Sequence, residues 1–549
     1  MEYLEMIDSD KGRLPASAPI PPSPNPPRIL IVGAGSRGNA YARAIRDSTN
    51  GIVVSIAEPI KHKRRRFGEH YIWGKSGPSE GQEFEDWRHF LVWEKKRQFG
   101  DASQKHRTKS IDAIFICVMD EMHMEAIVDL VSLDIHIMCE KPLAISLAQC
   151  LTIYKSLLPN LPDKTPLNLF SIGHVLRYSP HNMLLRKLLL EERIIGDILS
   201  INHTEPIGWW HFAHSYVRGN WRREITSAPT LLTKSCHDID LILWIMSYPS
   251  PANSYTVHFP STVSSVGALQ YFKKNRKPRE AGSATNCLSC PIEMTCKYSA
   301  KKVYLGPELK GLATGNLAWP VSIVLSDIED NIRQNGYKAG QAALKAKLSE
   351  DYSSACPSAQ VASRNWFGRC VYECDNDVCD NQVVTMTWDE SPLPTGLECG
   401  MENPLVNRGA KTAVFHMVAH TTKICERYSH FYGSNGEIYA DSDTITVEDF
   451  RTGAKKSYKP AHAGGGHGGG DDGLVRQFIL AVDQVKNHGV SVLEAQKTHI
   501  GCTLEEIIMS HAMVFAAEEA RRTLKVVKFL EWWNDNIISK LSSDISEIV

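Results

Sequence analysis

The sequence predicts an α/β protein with two unlike sheets, a parallel one near the N-terminus and a mainly antiparallel one behind it. Two observations predict this. Short, near-continuous apolar runs at 28–32, 51–57, 110–119, 135–139 and 168–174 alternate with helical patterns up to about residue 192. Strands buried on both faces read this way, and they belong to parallel sheets covered by helices. From Asp197 onward the pattern changes to sheet-like stretches at 254–258, 382–388, 412–419 and 436–447. These fit a second unit that is mainly antiparallel.

The elements follow in order. Residues 14–27 (LPASAPIPPSPNPP) are Pro-rich, which removes backbone donors and keeps the chain extended. Residues 1–27 are therefore expected to be a disordered leader. The first unit is expected over 28–175 and the second over 176–549, with a Cys-rich insertion at about 275–380. Residues 68–109, polar, aromatic and basic, are expected to be a long insertion in the first unit. Helices are expected at 123–133, 183–192, 230–246, 474–485 and 492–521.

Composition narrows the function classes. The chain has 549 residues, 43% apolar and 22% charged, which is ordinary for a folded globular protein. Lys plus Arg number 61 and Asp plus Glu 62, a net charge of -1. That balance argues against nucleic acid or a membrane surface as a partner chosen by overall charge. No run reaches the ~18 apolar residues a membrane helix needs, and the acidic N-terminus lacks a signal core. A cytoplasmic location is expected, where clustered thiols among the 14 cysteines point to metal before disulfides.

Gly33-x-Gly35-x-x-Gly38 follows a strand and opens a helix, the context in which this pattern binds a dinucleotide. The glycines allow a tight turn and let a pyrophosphate reach backbone N–H groups at the helix start, near Ser36 and Arg37. Glu58 closes the second strand. A carboxylate there accepts hydrogen bonds from the ribose hydroxyls and repels a 2′-phosphate, which favours NAD. Lys61, Lys63, Arg64 and Arg65 follow closely and leave NADP open. Glu140-Lys141-Pro142 ends a buried strand and sets Lys141 at the carboxyl edge of the sheet, where open α/β folds bind ligands.

These motifs, in this order and with His237-Asp238-Ile239-Asp240 after them, resemble the Gfo/Idh/MocA family (glucose-fructose oxidoreductase, inositol dehydrogenase, rhizopine catabolism). The resemblance covers most of residues 28–530. It implies an N-terminal Rossmann dinucleotide-binding domain and a C-terminal α/β domain with an open, mostly antiparallel sheet. A small-molecule substrate would sit between them. It also implies that Glu140 and Lys141 lie at the cofactor, with Lys141 bonding the reacting hydroxyl.

Read as one helix, 230–246 puts Lys234 and His237 on one face, with Asp240 three residues on to orient the imidazole. A neutral His237 there takes a proton from a hydroxyl. Many family dehydrogenases carry Asp four residues before this His; here the residue is Thr233. Arg177 and Tyr178, and the aromatic and basic group Trp209, Trp210, His211, His214, Arg218, Trp221 and Arg222, are candidates for the substrate mouth or for packing. Cys287-x2-Cys290-x5-Cys296, with a fourth ligand from Cys370-x3-Cys374-x4-Cys379 and Cys370 favoured, suits a structural zinc, or an iron–sulfur cluster on the same thiolates. The Gly-rich run 464–470 is either a linker or a loop that brings His467 to the site.

The expected function is an NAD(P)-dependent oxidoreductase acting on a sugar, cyclitol or related hydroxylated metabolite, with room for a homo-oligomer. Two rivals stand beside it. One is a redox-neutral NAD-dependent enzyme that cleaves a glycosidic bond, the other a dinucleotide-sensing regulator without turnover.

Overall fold

A computed structural model describes residues 23–99, 110–158, 166–248, 256–393, 405–460 and 467–543. Most of the expected leader and residues 464–466 of the Gly-rich run lie outside the described residues.

The first sheet holds β1 (Arg28–Val32), β2 (Ile52–Ala57), β3 (Glu83–Phe84), β4 (Ala113–Ile116), β5 (His136–Cys139) and β6 (Phe170–Ile172). Their order is β3-β2-β1-β4-β5-β6 and every pairing is parallel. β4 is buried at all four positions, the mark of a strand covered on both faces. The order reverses direction at β1, so the carboxyl ends of β1 and β4 flank a crevice that can take a ligand.

The stretch expected as a long insertion is, where described, part of this sheet. Residues 83–84 form its edge strand, and helix Trp87–Phe99 buries Trp87 and Phe90. Its polar look comes from the outer helix face, which hides the two anchoring aromatics.

The second sheet holds β7 (Ile198–Pro206), β8 (Thr262–Ala268), β9 (Asn381–Trp388), β10 (Lys411–Val418), β11 (Tyr428–Gly433), β12 (Gly436–Ala440), β13 (Ile445–Asp449), β14 (Lys455–Tyr458) and β15 (Val527–Lys528). The order is β14-β13-β12-β11-β7-β10-β9-β8-β15, antiparallel except between β7 and β10. β9 and β10 alternate buried and half-buried positions, as expected of a sheet covered on one face. The expected strand at 436–447 is two strands joined by a turn. Residues 256–258 are not in a strand, which begins instead at Thr262.

Two expected helices are broken. Residues 230–246 form Thr230–Thr233 and Cys236–Met246, with Lys234 and Ser235 at the break. Residues 492–521 break at Gly501 (φ 61), and Thr503 then caps helix Leu504–Thr523 through the Glu506 N–H.

Late in the sequence, helix Gly470–His488 returns to the first sheet. Phe478 meets Phe115 edge-on at 5.4 Å, and Gln496 bonds both the N–H and the C=O of Phe170 in β6. The insertion has a small core of its own, with Tyr304, Leu312, Val321 and Leu344 packed around Trp210.

Candidate active site

The glycine turn is shaped by contacts that each exclude a side chain. Gly33 has φ +100, and a Cβ on it would lie 2.7 Å from the Cys117 carbonyl oxygen. A Cβ on Gly38 would lie 2.0 Å from the Gly33 oxygen, so helix Ser36–Ser48 comes close to β1 only with glycine there. A Cβ on Gly35 would meet nothing within 4 Å. That open space fronts the first turn of the helix, where Ser36 and Arg37 stand and backbone N–H groups attract an anion.

Glu58, 6% exposed, accepts the N–H groups of Ala34 (2.8 Å) and Ile60 (2.9 Å). Its carboxylate is thus pinned against the turn, one to each oxygen, with further lone pairs available to a ligand. Among the described residues behind it, Lys61 and Lys63 make no side-chain bond, while Arg64, Arg65 and Arg66 are engaged. Arg64 donates to the Glu58 carbonyl at 2.6 Å and to Glu83 at 3.2 Å. Arg65 pairs with Asp330 at 2.7 Å and Arg66 with Glu329, both on helix Ile328–Asn335 of the insertion. The residues present therefore fit a dinucleotide ending in an unphosphorylated ribose.

Arg37 and Glu140, expected at the cofactor, also tie the chain together. Arg37 donates to Glu140 at 2.6 Å and holds Asp471 through two bonds of 2.9 Å. The Tyr41 hydroxyl donates to Glu140 as well. Burial alone would raise the Glu140 carboxyl, but Arg37 and Lys141 more than offset it and hold it below its ordinary value.

Lys141 projects from the end of β5. Its ammonium donates to the Thr233 carbonyl at 2.7 Å, so it already spans the two units. Buried His123 fixes the turn beneath it by donating from Nδ1 to the Pro142 carbonyl at 2.7 Å. Asp120 faces Lys141 and accepts the Trp221 indole N–H at 2.8 Å; burial raises its carboxyl.

His237 is 1% exposed, and its Nε2 lies 2.7 Å from Nη2 of Arg427. A guanidinium only donates, so Nε2 accepts and the ring proton sits on Nδ1. Nδ1 is buried and makes no hydrogen bond. Burial first, then Arg427, Lys141, His467 and Lys234, push the pKa of His237 well below its ordinary value. The ring is neutral, as expected, but in this arrangement it offers a proton rather than the expected lone pair. His467 joins it from the Gly-rich run, with ring centres 5.9 Å apart. The His467 ring donates from Nδ1 to Asp471 at 3.0 Å.

Two expectations change, and Arg177 and Tyr178 take the packing alternative. Lys234 sits at the helix break and turns to Glu205 and to the Cys425 sulfur, each at 3.0 Å. Burial would lower its pKa, but Cys425 and Glu205 outweigh burial and raise it, so the ammonium is held charged. Asp240 does not orient His237. It grips Arg177 through two bonds of 2.7 and 2.8 Å, and Arg177 also reaches Glu506. Arg177 and Tyr178 are interior, the Tyr178 hydroxyl donating to the Ile500 carbonyl at 2.7 Å.

The aromatic and basic segment 209–222 mostly docks the insertion. Trp210 packs on Trp319 at 5.1 Å, His214 on Phe367 at 5.3 Å, and Arg222 pairs with Asp375 at 2.7 Å. Trp221, through Asp120, and His211, 3.8 Å from the Cys425 sulfur, are its members near the site.

Sequence reasoning missed Arg427, which joins Glu205 (2.9 Å), Asp238 (2.5 Å) and His237. It missed Asp238 as well, which also accepts from His203 at 3.0 Å. Arg427 and His203 outweigh burial and lower the Asp238 carboxyl to about 2. No local pattern marks Arg427; the His-Asp-x-Asp run marked the right helix but not which Asp served His237.

His174, Cys236 and His511 also bring ligand atoms within 4.8 Å of one another. His511 donates from Nδ1 to the Ile507 carbonyl and accepts the Leu143 N–H at Nε2, both at 2.8 Å, leaving no lone pair for a metal. The expected metal ligands Cys287, Cys290, Cys296 and Cys370 line one cavity in the insertion.

Burial keeps several histidines neutral in the fold. It lowers His136 to about 4, and His214 and His511 to about 3. Below the unfolded value of about 6.5 the unfolded chain takes up protons that the fold refuses. Stability is then complete above that value and falls as pH drops toward each folded value. The expected slope is about 1.4 kcal/mol per pH unit for each such histidine. Urea unfolding at pH 7.5 and 5.5 checks this, and equal midpoints would contradict it.

Residues 27–157 match the model of the Gfo/Idh/MocA family, described as an oxidoreductase family with an NAD-binding Rossmann fold. Among curated proteins, 2,7-anhydro-N-acetylneuraminate hydratase of Escherichia coli is 24% identical over 160 residues, 29% of this chain and 37% of that protein. Inositol 2-dehydrogenase of Salmonella typhimurium is 21% identical over 241 residues, 44% of this chain and 60% of that protein. Both alignments span less than two thirds of the relative. Among solved structures, levoglucosan dehydrogenase in complex with NADH and levoglucosan superposes with a TM-score of 0.53 at 14% identity. That match covers 92% of this chain and all of that one, a likeness of fold.

Proposed function

We propose, for a chain whose first domain is that of the Gfo/Idh/MocA oxidoreductases, that it oxidises a hydroxyl of a sugar, cyclitol or related metabolite with NAD. The observation that carries this reading is the approach of Lys141, from the end of β5, to His237, beside which Arg427 and His467 stand. Bound NAD supplies a hydride acceptor. The ammonium of Lys141 bonds the reacting oxygen and stabilises the negative charge that grows on it as the hydroxyl proton passes to the Nε2 lone pair of His467, whose Nδ1–H is held by Asp471. His237, neutral and with its Nδ1 proton unpartnered, donates a hydrogen bond to a substrate oxygen. Arg427 fixes that tautomer, and Asp238 and Glu205 hold Arg427. Burial of His237, Asp238 and Glu205 strengthens these contacts.

Two features favour NAD over NADP: the buried carboxylate of Glu58 and the engagement of Arg64, Arg65 and Arg66 by carboxylates. Titration of both cofactors should give at least tenfold tighter binding of NAD. That ratio corresponds to about 1.4 kcal/mol, well within what one misplaced phosphate costs. Tighter NADP binding would mean that the arginines leave their partners. The same reading makes this a cytoplasmic small-molecule enzyme.

A redox-neutral course is the second reading, favoured by the hydratase among the relatives. A metabolite screen that follows NADH absorbance and non-redox product release together separates the two. NADH formation with a polyol supports oxidation; product without net NADH supports the neutral course.

A further inference from the structure

Outside the active site, the insertion carries a cavity of about 300 Å³ lined by Cys287, Cys290, Cys296, Cys370, Arg218 and Tyr298, among others. The backbone brings its two halves into register. The Cys287 N–H donates to the Gly368 carbonyl and the Cys370 N–H to the Thr285 carbonyl, each at 2.8 Å. Asn286 and Arg369 pair across the same bridge. The hook of three thiols and the single remote thiol are thereby held on opposite walls.

The spacing of the sulfurs discriminates between metals. A tetrahedral zinc with bonds of about 2.3 Å needs its sulfurs about 3.8 Å apart and leaves no void between them. No three of these four sulfurs, all among the described residues, fall within 4.8 Å of one another. The four thiols share this cavity with twelve other residues, and thiols so separated around a space of this size suit a polynuclear centre.

Charge points to an anionic metal–thiolate centre. Arg218 is 1% exposed and has no carboxylate partner among the described residues. Its Nε donates to the Arg369 carbonyl at 2.7 Å, and its Nη2 to the Tyr298 carbonyl at 2.8 Å and to the Cys287 sulfur at 3.4 Å. Its Nη1 is buried without a hydrogen bond. A buried cation needs an anion nearby. Four thiolates on a cluster leave a net negative charge, and N–H donors to cluster sulfurs are a recurrent form of support.

We propose that Cys287, Cys290, Cys296 and Cys370 hold a four-iron, four-sulfide cluster, with Arg218 as its buried counter-charge. The cluster staples the insertion, which lacks a large core, onto the 209–222 segment beside the active site. Cys370 is taken as the fourth ligand in preference to Cys374, which does not line the cavity.

The test is metal and acid-labile sulfide analysis of the full chain purified without oxygen, with a parallel sample reconstituted with ferrous iron and sulfide. The expected result is about four irons and four sulfides per chain, with visible absorbance that bleaches on reduction. One zinc without sulfide, or no metal in either sample, would overturn the proposal. Cys290→Ser should lose most of the iron while Cys374→Ser keeps it, with NAD titration and circular dichroism reporting whether each variant folds. Iron kept by Cys370→Ser and lost by Cys374→Ser would overturn the ligand set. Should Cys290→Ser not fold, the wild-type analysis still decides.

Discussion

Lys141→Met loses turnover by a factor of about 10²–10³, the usual loss when one donor to a developing oxyanion is removed, while NAD binds nearly as before. Methionine keeps much of the apolar stem and removes the charge. The contacts expected to hold NAD lie elsewhere, at the open side of Gly35, the first turn of helix Ser36–Ser48 and Glu58. Single-turnover rates and NAD titration on the same preparation check this. Near-normal rates on the true substrate would remove Lys141 from the chemistry and leave His237 and His467 to account for it. His237→Asn should also slow the reaction, since an amide restores a donor near Nδ1 only if Arg427 keeps its place.

Asp240→Ala is expected to destabilise the protein by about 3–5 kcal/mol, the range found when one partner of a buried ion pair is removed. Asp240 is fully buried and bonds Arg177 twice. Without it, the Arg177 guanidinium, 3% exposed, keeps Glu506 as its only carboxylate among the described residues. Arg177 lies between the two units, so the loss should appear in global urea unfolding. NAD affinity of the folded fraction should be unchanged, because Asp240 does not touch the cofactor cradle. A loss below about 1 kcal/mol would mean that water or a rearranged Glu506 takes over the pairing.

What could be read from the sequence was set by nearby chain. The three glycines, Glu58 and the Glu140-Lys141-Pro142 turn each depend on a strand end and the helix or turn beside it, so spacing alone located them. The alternation of β9 and β10 showed a one-faced sheet for the same reason. Partners of buried charges were not legible. Arg427 is 190 residues from His237 and Asp471 is 434 from Arg37, and nothing in either neighbourhood names the other. Helical spacing put Lys234 on the face of His237, but the ion pair with Glu205 draws it away at the helix break. The segment 209–222 has the composition of a sugar-binding surface; an insertion that must be anchored by aromatic stacking and buried arginines uses the same residues.

Helix Gly470–His488 has a consequence for synthesis. The first sheet is complete in the growing chain once β6 has been made, yet the helix that lays Phe478 against Phe115 and Asp471 against Arg37 is still about three hundred codons away. At roughly 5–20 residues per second, the ribosome leaves one face of that sheet uncovered for roughly 15–60 s. During that interval Arg37 has Glu140 but not yet Asp471, and apolar strand surface is open to chaperones or to other nascent chains. The dinucleotide-binding half, although first to be translated, is among the last parts to be closed.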